Sequence, residues 1–292
     1  MEQFWSATGR RWLTAMLVAF GLGLIQCTAH AVPTPDELAA VSQHRAQFLG
    51  GRIERITRDI DSGRLRSKDL AEAYRWRGVT YSQLDQPEQA LDDFSSAIQN
   101  DLINPQYYED RAIAYLKLRR YAEANQDLDM ALGLDNHRAA AHREKGRVAF
   151  YQGRFDEAAR SFSLALQNER DIGVAYAAMW VQLALRRGAL NGMSLLPSLL
   201  ETFPADQWPA PLMRMLAGAG TPQAALEAAQ ARDPETYLKL QCEAQFYVGE
   251  HYLIAGDRDQ ARRAFDAAVA TGVTEFLELD WARRELEALS SR

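Results

Sequence analysis

The sequence predicts an all-α superhelix made of stacked pairs of antiparallel helices. The main evidence is self-similarity at a spacing of 34 residues, which appears at five positions of one segment. Three of these positions hold small side chains, which allow two helices to approach closely. The other two hold mostly larger side chains, which fill the grooves between neighbouring units. The recurring residues are Gly78, Ala112 and Gly146; Tyr81, Tyr115 and Ala149; Ala90, Ala124 and Ala158; Phe94, Leu128 and Phe162; and Ala97, Ala131 and Ala165.

The composition is that of a globular protein and argues against nucleic acid as a partner. The 292 residues are 47% hydrophobic and 25% charged, with a formal net charge of -6. Lys and Arg never form a run longer than a pair, whereas nucleic-acid binding requires a clustered basic face. We expect one elongated domain, because each helix pair buries its apolar face only against its neighbours.

The first 31 residues have the pattern of an export signal. Arg10 and Arg11 precede an apolar run at 12–25, which is shorter than the roughly 20 residues that span a bilayer. Cleavage after Ala31 fits the small-residue pattern of signal peptidase I and would release an exported protein without an anchor. The alternative is a bacterial lipobox that ends at Cys27, where a lipid would be the protein's attachment to a membrane.

The rest of the chain is predicted to contain a helical lead, repeats and a cap. The apolar pattern of the lead predicts two helices before a stop at 62–65. Trp180 occupies the register of small residues and Pro197 interrupts the next helix, which indicates that the repeats degenerate. The predicted segments are a signal peptide at 1–31, the lead at 33–70, three repeats at 71–172, degenerate helical repeats at 173–241, a C-terminal repeat at 242–275 and a capping helix at 276–292.

The capping helix is predicted to be amphipathic. Leu277, Trp281 and Leu289 fall on one stripe, which is expected to cover the last repeat. Arg283 and Arg284 fall on the opposite face and are expected to meet solvent, as in the terminal unit of other repeat proteins.

A helix–turn–helix unit of 34 residues resembles the tetratricopeptide repeat (TPR), over about half of the chain. The whole layout, with the stretch at 242–257 and the Trp208-Pro209 pair, is similar to the NlpI-type periplasmic TPR proteins and lipoproteins of proteobacteria. This resemblance implies an adaptor in the periplasm of a Gram-negative bacterium, anchored to the outer membrane if Cys27 carries lipid. It also implies recruitment of a peptidoglycan hydrolase or a processing protease, and a homodimer.

The concave face of such a superhelix is lined by the first helix of each repeat. Apolar anchors beside arginines on this face suit a protein or peptide partner, and Arg143 with Arg147, one turn apart, is hypothesised to grip an acidic group. The alternative is that Trp76 and the aromatic residues of the third repeat pack within the protein. The predicted partner-binding residues are Arg75, Trp76, Val79, Ile113, Lys117, Arg143, Arg147, Phe150 and Tyr151.

Chemistry-bearing motifs are absent from the sequence, which predicts no enzyme, no cofactor and no metal. There is no H-E-x-x-H, no C-x-x-C and no Gly-rich phosphate loop. Cys242 and His251 are nine residues apart and fall on different faces of one helix, so a buried cysteine is favoured over a nucleophile. We therefore interpret the chain as a cell-envelope scaffold. Two alternatives are a lipid-anchored outer-membrane or pilus biogenesis factor and a self-assembling structural homodimer.

Overall fold

The computed structural model describes residues 33–291, which form fourteen α-helices and no strands. The predicted signal segment and Cys27 lie outside the described residues. The helices are α1 (Pro35–Asp61), α2 (Ser67–Gln83), α3 (Pro87–Asn100), α4 (Pro105–Lys117), α5 (Tyr121–Leu134), α6 (Ala139–Tyr151), α7 (Phe155–Asn168), α8 (Ile172–Arg187), α9 (Leu196–Thr202), α10 (Ala210–Leu216), α11 (Pro222–Ala228), α12 (Pro234–Ala255), α13 (Arg258–Ala270) and α14 (Leu277–Ser290). None of these fourteen helices combines the length and the hydrophobicity that a membrane span requires.

The N-terminal lead is one continuous helix of 27 residues, α1, and the prediction of two helices is wrong. Thr34 caps its first turn in a capping box with Glu37. Gly50 and Gly51 lie within the helix, where each costs about 1 kcal/mol relative to Ala. Packing of α1 along α2 and burial of Leu49 beside the two glycines offset this cost.

Three regular helix pairs follow: α2 with α3, α4 with α5, and α6 with α7. The first helices of successive pairs pack against each other, which places them on the inner side of the curve. A Cβ atom on Gly78 would lie 2.8 Å from the Phe94 ring, and one on Gly146 would lie 2.7 Å from the Phe162 ring. The small-residue register is therefore required by the close approach of the two helices in each pair.

An Arg–Asp ion pair also recurs at the spacing of the repeats. Arg77 donates through Nε and Nη2 to both carboxylate oxygens of Asp93, at 2.8 and 2.7 Å. Arg111 makes the same bidentate pair with Asp127, with both bonds at 2.7 Å. The guanidinium fork matches the carboxylate, so each pair ties the first helix of its repeat to the second.

The largest apolar core joins the third repeat to the C-terminal helices. Trp180 of α8 is fully buried and its ring stacks on Phe162 of α7, with centroids 5.3 Å apart. An indole does not fit the small-residue register of a regular pair, and α8 is followed by a non-helical stretch and the short α9 instead of a full second helix. Trp281 of α14 also packs on Trp180, in an edge-to-face contact.

The last helix, α14, covers the α12–α13 pair and also reaches the first two repeats. The prediction that its polar face meets solvent fails for Arg284 and holds only in part for Arg283, whose side chain is 42% exposed. Arg284 donates to the backbone carbonyl of Leu116 in α4, and Arg283 lies 3.1 Å from Asp85, which follows α2. The superhelix curves far enough to bring the polar face of its final helix against its beginning.

Candidate functional site

The inner helices α2, α4 and α6 carry all nine residues that the sequence predicts to bind a partner. The structure separates these residues into two groups. Trp76 lines an opening between α1 and α2, and Val79 and Ile113 line a second pocket between α2 and α4. Arg75 contacts Trp76 and pairs with Asp110 of the second pocket, and we call this whole stretch near the N-terminal end the open groove. Lys117 lines the same pocket as Val79 and Ile113, at its far end, where it also contacts the turn before α14. The four residues of α6 contact other parts of the chain, and we call their stretch the covered groove.

Trp76 is the exposed aromatic residue of the open groove. Its surface is 43% exposed, and the guanidinium groups of Arg75 and Arg52 lie 4.8 and 5.3 Å from its ring. Arg75 is itself fixed by Asp110, at 2.6 Å. The two cation–π contacts hold the indole in place and leave a large part of it accessible. Arg52 belongs to the lead helix, outside the repeat pattern, so no repeat register could have identified it.

A pocket of about 210 Å³ begins one helical turn beyond Trp76. Its walls include the apolar side chains of Val79, Ile113 and Leu277. Gln83 also lines it, and the Oε1 atom of this amide is buried without a hydrogen-bond partner among residues 33–291. A buried unpaired acceptor is costly, so the pocket favours a ligand that brings an apolar group and a hydrogen-bond donor.

The covered groove is filled by Trp281 of α14. The Trp281 ring lies 5.0 Å from the Tyr151 ring, and the Arg147 guanidinium lies 4.8 Å from the same indole. Phe150 is only 3% exposed and packs edge-to-face on Trp180. The alternative of internal packing therefore describes Phe150 and Tyr151 in this structure. Their binding to a partner stays a prediction that would require this helix to move.

Arg143 and Arg147 are engaged by carboxylates of the chain itself. Arg143 is paired with Glu169 of the α7–α8 connection, and Arg147 Nη1 lies 2.5 Å from Glu144. Glu144 is 1% exposed, so the Arg147 charge serves first to compensate a buried carboxylate. The structure does not bring the two arginines to an open surface, and the hypothesis that they grip an acidic partner stays untested.

Lys117, also predicted to face a partner, is nearly enclosed. Its side chain is 5% exposed, and its ammonium group donates to the backbone carbonyl of Thr274 at 2.7 Å. The carboxylates of Asp280 and Asp85 lie 3.5 and 3.7 Å away. The sequence could not have shown this environment, because the partners come from the opposite end of the chain.

Apart from the groove, a cluster of polar groups surrounds Glu243 in the core of the C-terminal half. Trp208, in the turn before α10, donates from its indole nitrogen to Glu243 at 2.8 Å. The pKa of the Glu243 carboxyl is raised to about 8, mainly by burial and also by the nearby Glu278 carboxylate, against the opposing effect of hydrogen bonds from Trp208 and Tyr176. A carboxyl that is protonated at neutral pH can satisfy buried donors without carrying a charge into the core.

Two groups that could carry chemistry, a metal site and the free cysteine, can be examined in the described part of the chain. Within residues 33–291, no group of three or more potential ligands could hold a metal ion. Cys242 is fully buried, which confirms the prediction of a buried cysteine, and burial raises the pKa of its thiol to about 12. A thiol in that state is a poor nucleophile.

Comparisons with known proteins bear on the fold. No family model matches the chain. A tetratricopeptide repeat protein from Parabacteroides merdae is 15% identical, with a TM-score of 0.52 over 88% of this chain and 100% of its own. The Arabidopsis OM64 TPR domain is 26% identical over 40% of this chain and 97% of its own, with a TM-score of 0.37. YrrB, described as a TPR protein with an unusual peptide-binding site, is 17% identical over 75% of this chain and 93% of its own, with a TM-score of 0.40.

The protein therefore has the tetratricopeptide-repeat fold, and the prediction of an all-α TPR superhelix is confirmed. The Parabacteroides protein carries this conclusion, since its likeness extends over nearly the whole of both chains. The finer resemblance to NlpI-type proteins is not confirmed by these comparisons. At such identities the likeness shows the fold alone, and function has to be argued from the groove.

Proposed function

We propose that this protein is a non-enzymatic scaffold of a bacterial cell envelope, which binds a protein or peptide partner in its concave groove. The partner would be an envelope enzyme, such as a peptidoglycan hydrolase or a processing protease, or an assembly factor. The open groove carries the proposal, because the exposed Trp76 stands beside an apolar pocket with an unpaired acceptor. Export to the periplasm is supported by the sequence pattern of residues 1–31.

The groove defines the chemistry of the bound segment. An aliphatic or aromatic side chain would contact Val79, Ile113 and Leu277, and a donor on it or beside it would reach Gln83 Oε1. Neighbouring residues of the segment would lie against Trp76. Burial of one such apolar anchor in a pocket is the usual source of affinity in peptide recognition.

Affinity purification from an envelope extract with matched variants tests the proposal. Ile113→Asp places a charge in the pocket, whereas Met130→Asp places one on the outer helix α5, where Met130 is 51% exposed. We expect an envelope enzyme or assembly factor to bind the wild type and Met130→Asp, and to be lost with Ile113→Asp. The same partner, purified, should bind with at least tenfold lower affinity to Ile113→Asp. Equal binding to all three folded proteins would contradict the proposal.

Mass spectrometry of the mature N-terminus distinguishes the two forms of export. A free N-terminus at Val32 supports a periplasmic protein without an anchor. An acylated Cys27 supports the lipid-anchored alternative, which includes outer-membrane or pilus biogenesis factors.

Self-association is a second candidate function, favoured by one observation on the lead helix. Phe48 of α1 is 56% exposed and lines, with Ala40 and Val41, an opening of about 620 Å³ between α1 and α12. A second copy could cover these side chains in a homodimer. Light scattering of the wild type and Phe48→Glu tests this alternative. A dimer that Phe48→Glu converts to a monomer supports it, and a monomeric wild type excludes it.

A further inference from the structure

We propose that the polar contacts of the C-terminal segment 274–283 with the lead helix and the first two repeats form a clasp that opens to admit a partner to the groove. This inference rests on the proposed function and adds a mode of regulation to it. The clasp is defined by Arg45, Gln83, Asp85 and Lys117 on one side and by Thr274, Glu275, Asp280 and Arg283 on the other.

The first part of the clasp holds the turn before α14. Arg45 of α1 lies 3.1 Å from Glu275, and its guanidinium also donates to the Thr274 hydroxyl at 3.4 Å. The Thr274 hydroxyl in turn donates to the carbonyl of Gln83 at 2.9 Å. The turn is thus bonded to both α1 and α2, and it forms one edge of the open groove, where Glu275 lines the pocket.

The second part is a cluster of four charges around α14. Lys117 lies between Asp85 and Asp280, and Arg283 lies 3.1 and 3.2 Å from the same two carboxylates. The two cations balance the two anions only while α14 stays in place. Removal of one cation leaves the two carboxylates insufficiently compensated, which favours their separation.

The two sides of the clasp share little apolar packing, in contrast to helices that are neighbours along the chain. Buried apolar residues of α2 to α5, such as Phe94 and Leu128, belong to clusters separate from the core that contains Trp281. Ile113 is only partly buried where it reaches that core. Polar and ionic contacts therefore dominate here, so this part of the structure can open without disrupting a core. The outer pair of Arg283 and Asp85, whose side chains are 42% and 33% exposed, is weak and screened by salt, whereas the enclosed Lys117 pairs are screened less.

Opening would have a direct consequence for binding. The pocket is bounded on one side by Val79 and Ile113 and on the other by Glu275 and Leu277, so separation of the two sides widens it. The closed form admits a single side chain, while the open form has room for a longer segment. A partner that binds the open form would shift the population toward it.

Spin labels on either side of the clasp test the proposal without any partner. Cysteines at the exposed positions Gln47 of α1 and Asp266 of α13 provide the sites. Cys27→Ser removes one native thiol, and Cys242 is buried and does not compete for label. We expect a single distance population at low salt, and a second, longer one in 1 M salt, where the screening length is about 3 Å.

Lys117→Met should produce the longer population at low salt. Lys145→Met is the matched control, since Lys145 is paired with Asp129 of α5, away from the clasp. If Lys117→Met fails to fold, Arg283→Gln and the salt dependence of the wild type test the same point. Distances unchanged by salt and by a folded clasp variant would overturn the proposal.

The link to function is tested separately with the purified partner. Lys117→Met should bind it several-fold more tightly than Lys145→Met, because the open form is already populated. Equal affinities would overturn the regulatory role. Absence of any partner would contradict the proposed function alone, since the distance measurements stand without it.

Discussion

Trp281 of α14 packs edge-to-face on Trp180 of α8, with ring centroids 4.7 Å apart at an interplanar angle of 84°. Both indoles are fully buried. Through this contact the final helix becomes part of the core of the third repeat, in addition to covering the last helix pair. The two residues lie 101 positions apart, so the contact couples the stability of the C-terminus to that of the regular repeats.

Trp281→Ala should destabilise the protein strongly. Removal of a fully buried indole leaves a cavity and typically costs about 3–5 kcal/mol. Urea unfolding followed by far-UV circular dichroism measures the change. Trp76→Ala is the control: this indole is 43% exposed and its loss should cost far less. Similar losses for the two variants would show that Trp281 is not part of the core.

Gly146→Ala should destabilise the third repeat by about 1–3 kcal/mol, the usual cost of overpacking. The new methyl group would lie 2.7 Å from the Phe162 ring, which is enclosed in the core. Gly133→Ala is the matched control, because nothing lies within 4 Å of the position of its methyl group in α5. That substitution should stabilise by about 0.5–1 kcal/mol. Thermal unfolding of both variants should show opposite shifts.

Asp127→Ala should cost about 3 kcal/mol, because it leaves the Arg111 guanidinium without its bidentate partner. The aspartate side chain is 7% exposed and that of the arginine 20%, so water replaces the lost bonds poorly. Arg111→Met combined with Asp127→Leu should recover much of the stability. If the double variant is as unstable as Asp127→Ala, the unpaired charge of Arg111 does not account for the loss of stability.

Glu243→Gln should change the pH dependence of stability. Burial raises the pKa of this carboxyl to about 8, above its ordinary value of 4.5. Between these values the folded state binds a proton that the unfolded state has lost, so stability falls as the pH rises. The fall approaches about 1.4 kcal/mol per pH unit for one proton. The amide of the variant cannot ionise, so its free energy of unfolding should rise relative to that of the wild type between pH 5 and 8.

Urea unfolding at several pH values measures this gain. Glu235→Gln is the control, since Glu235 is exposed near the start of α12. Glu250, whose pKa burial raises to about 7, stays in both proteins, so the comparison concerns the difference between the two slopes. Parallel slopes for wild type and Glu243→Gln would contradict the raised pKa.

The helix pairs could be predicted from the sequence because their determinants are local and repeated. The small residue Gly78 and the large residue Phe94 contact each other within one helix pair. The next repeat has a small and a large residue at the same two positions, Ala112 and Leu128, 34 residues later. Such a pattern is visible without coordinates. The lead helix carries no second copy of its pattern, and there the prediction of two helices in place of one was wrong.

The candidate site could be predicted only in part. Trp76, Val79 and Ile113 were assigned to the concave face from their place in the repeat, and they line the open groove. Lys117 and Arg147 were assigned by the same argument, yet both contact α14 or the turn before it. The repeat register identifies which side of a helix faces inward, but it contains no information on what occupies that side.

The sequence by itself determined the period, the helix pairs and the inner face, since each depends on contacts between neighbouring elements. Only the tertiary structure decided that the groove is partly filled by its own chain, as in the bond from Lys117 to Thr274, 157 residues away. The position of the end relative to the beginning is the sum of small rotations between successive repeats and of the irregular turns at 188–233. No local sequence pattern predicts this relative position, so the contacts of the clasp can be seen only in the folded superhelix.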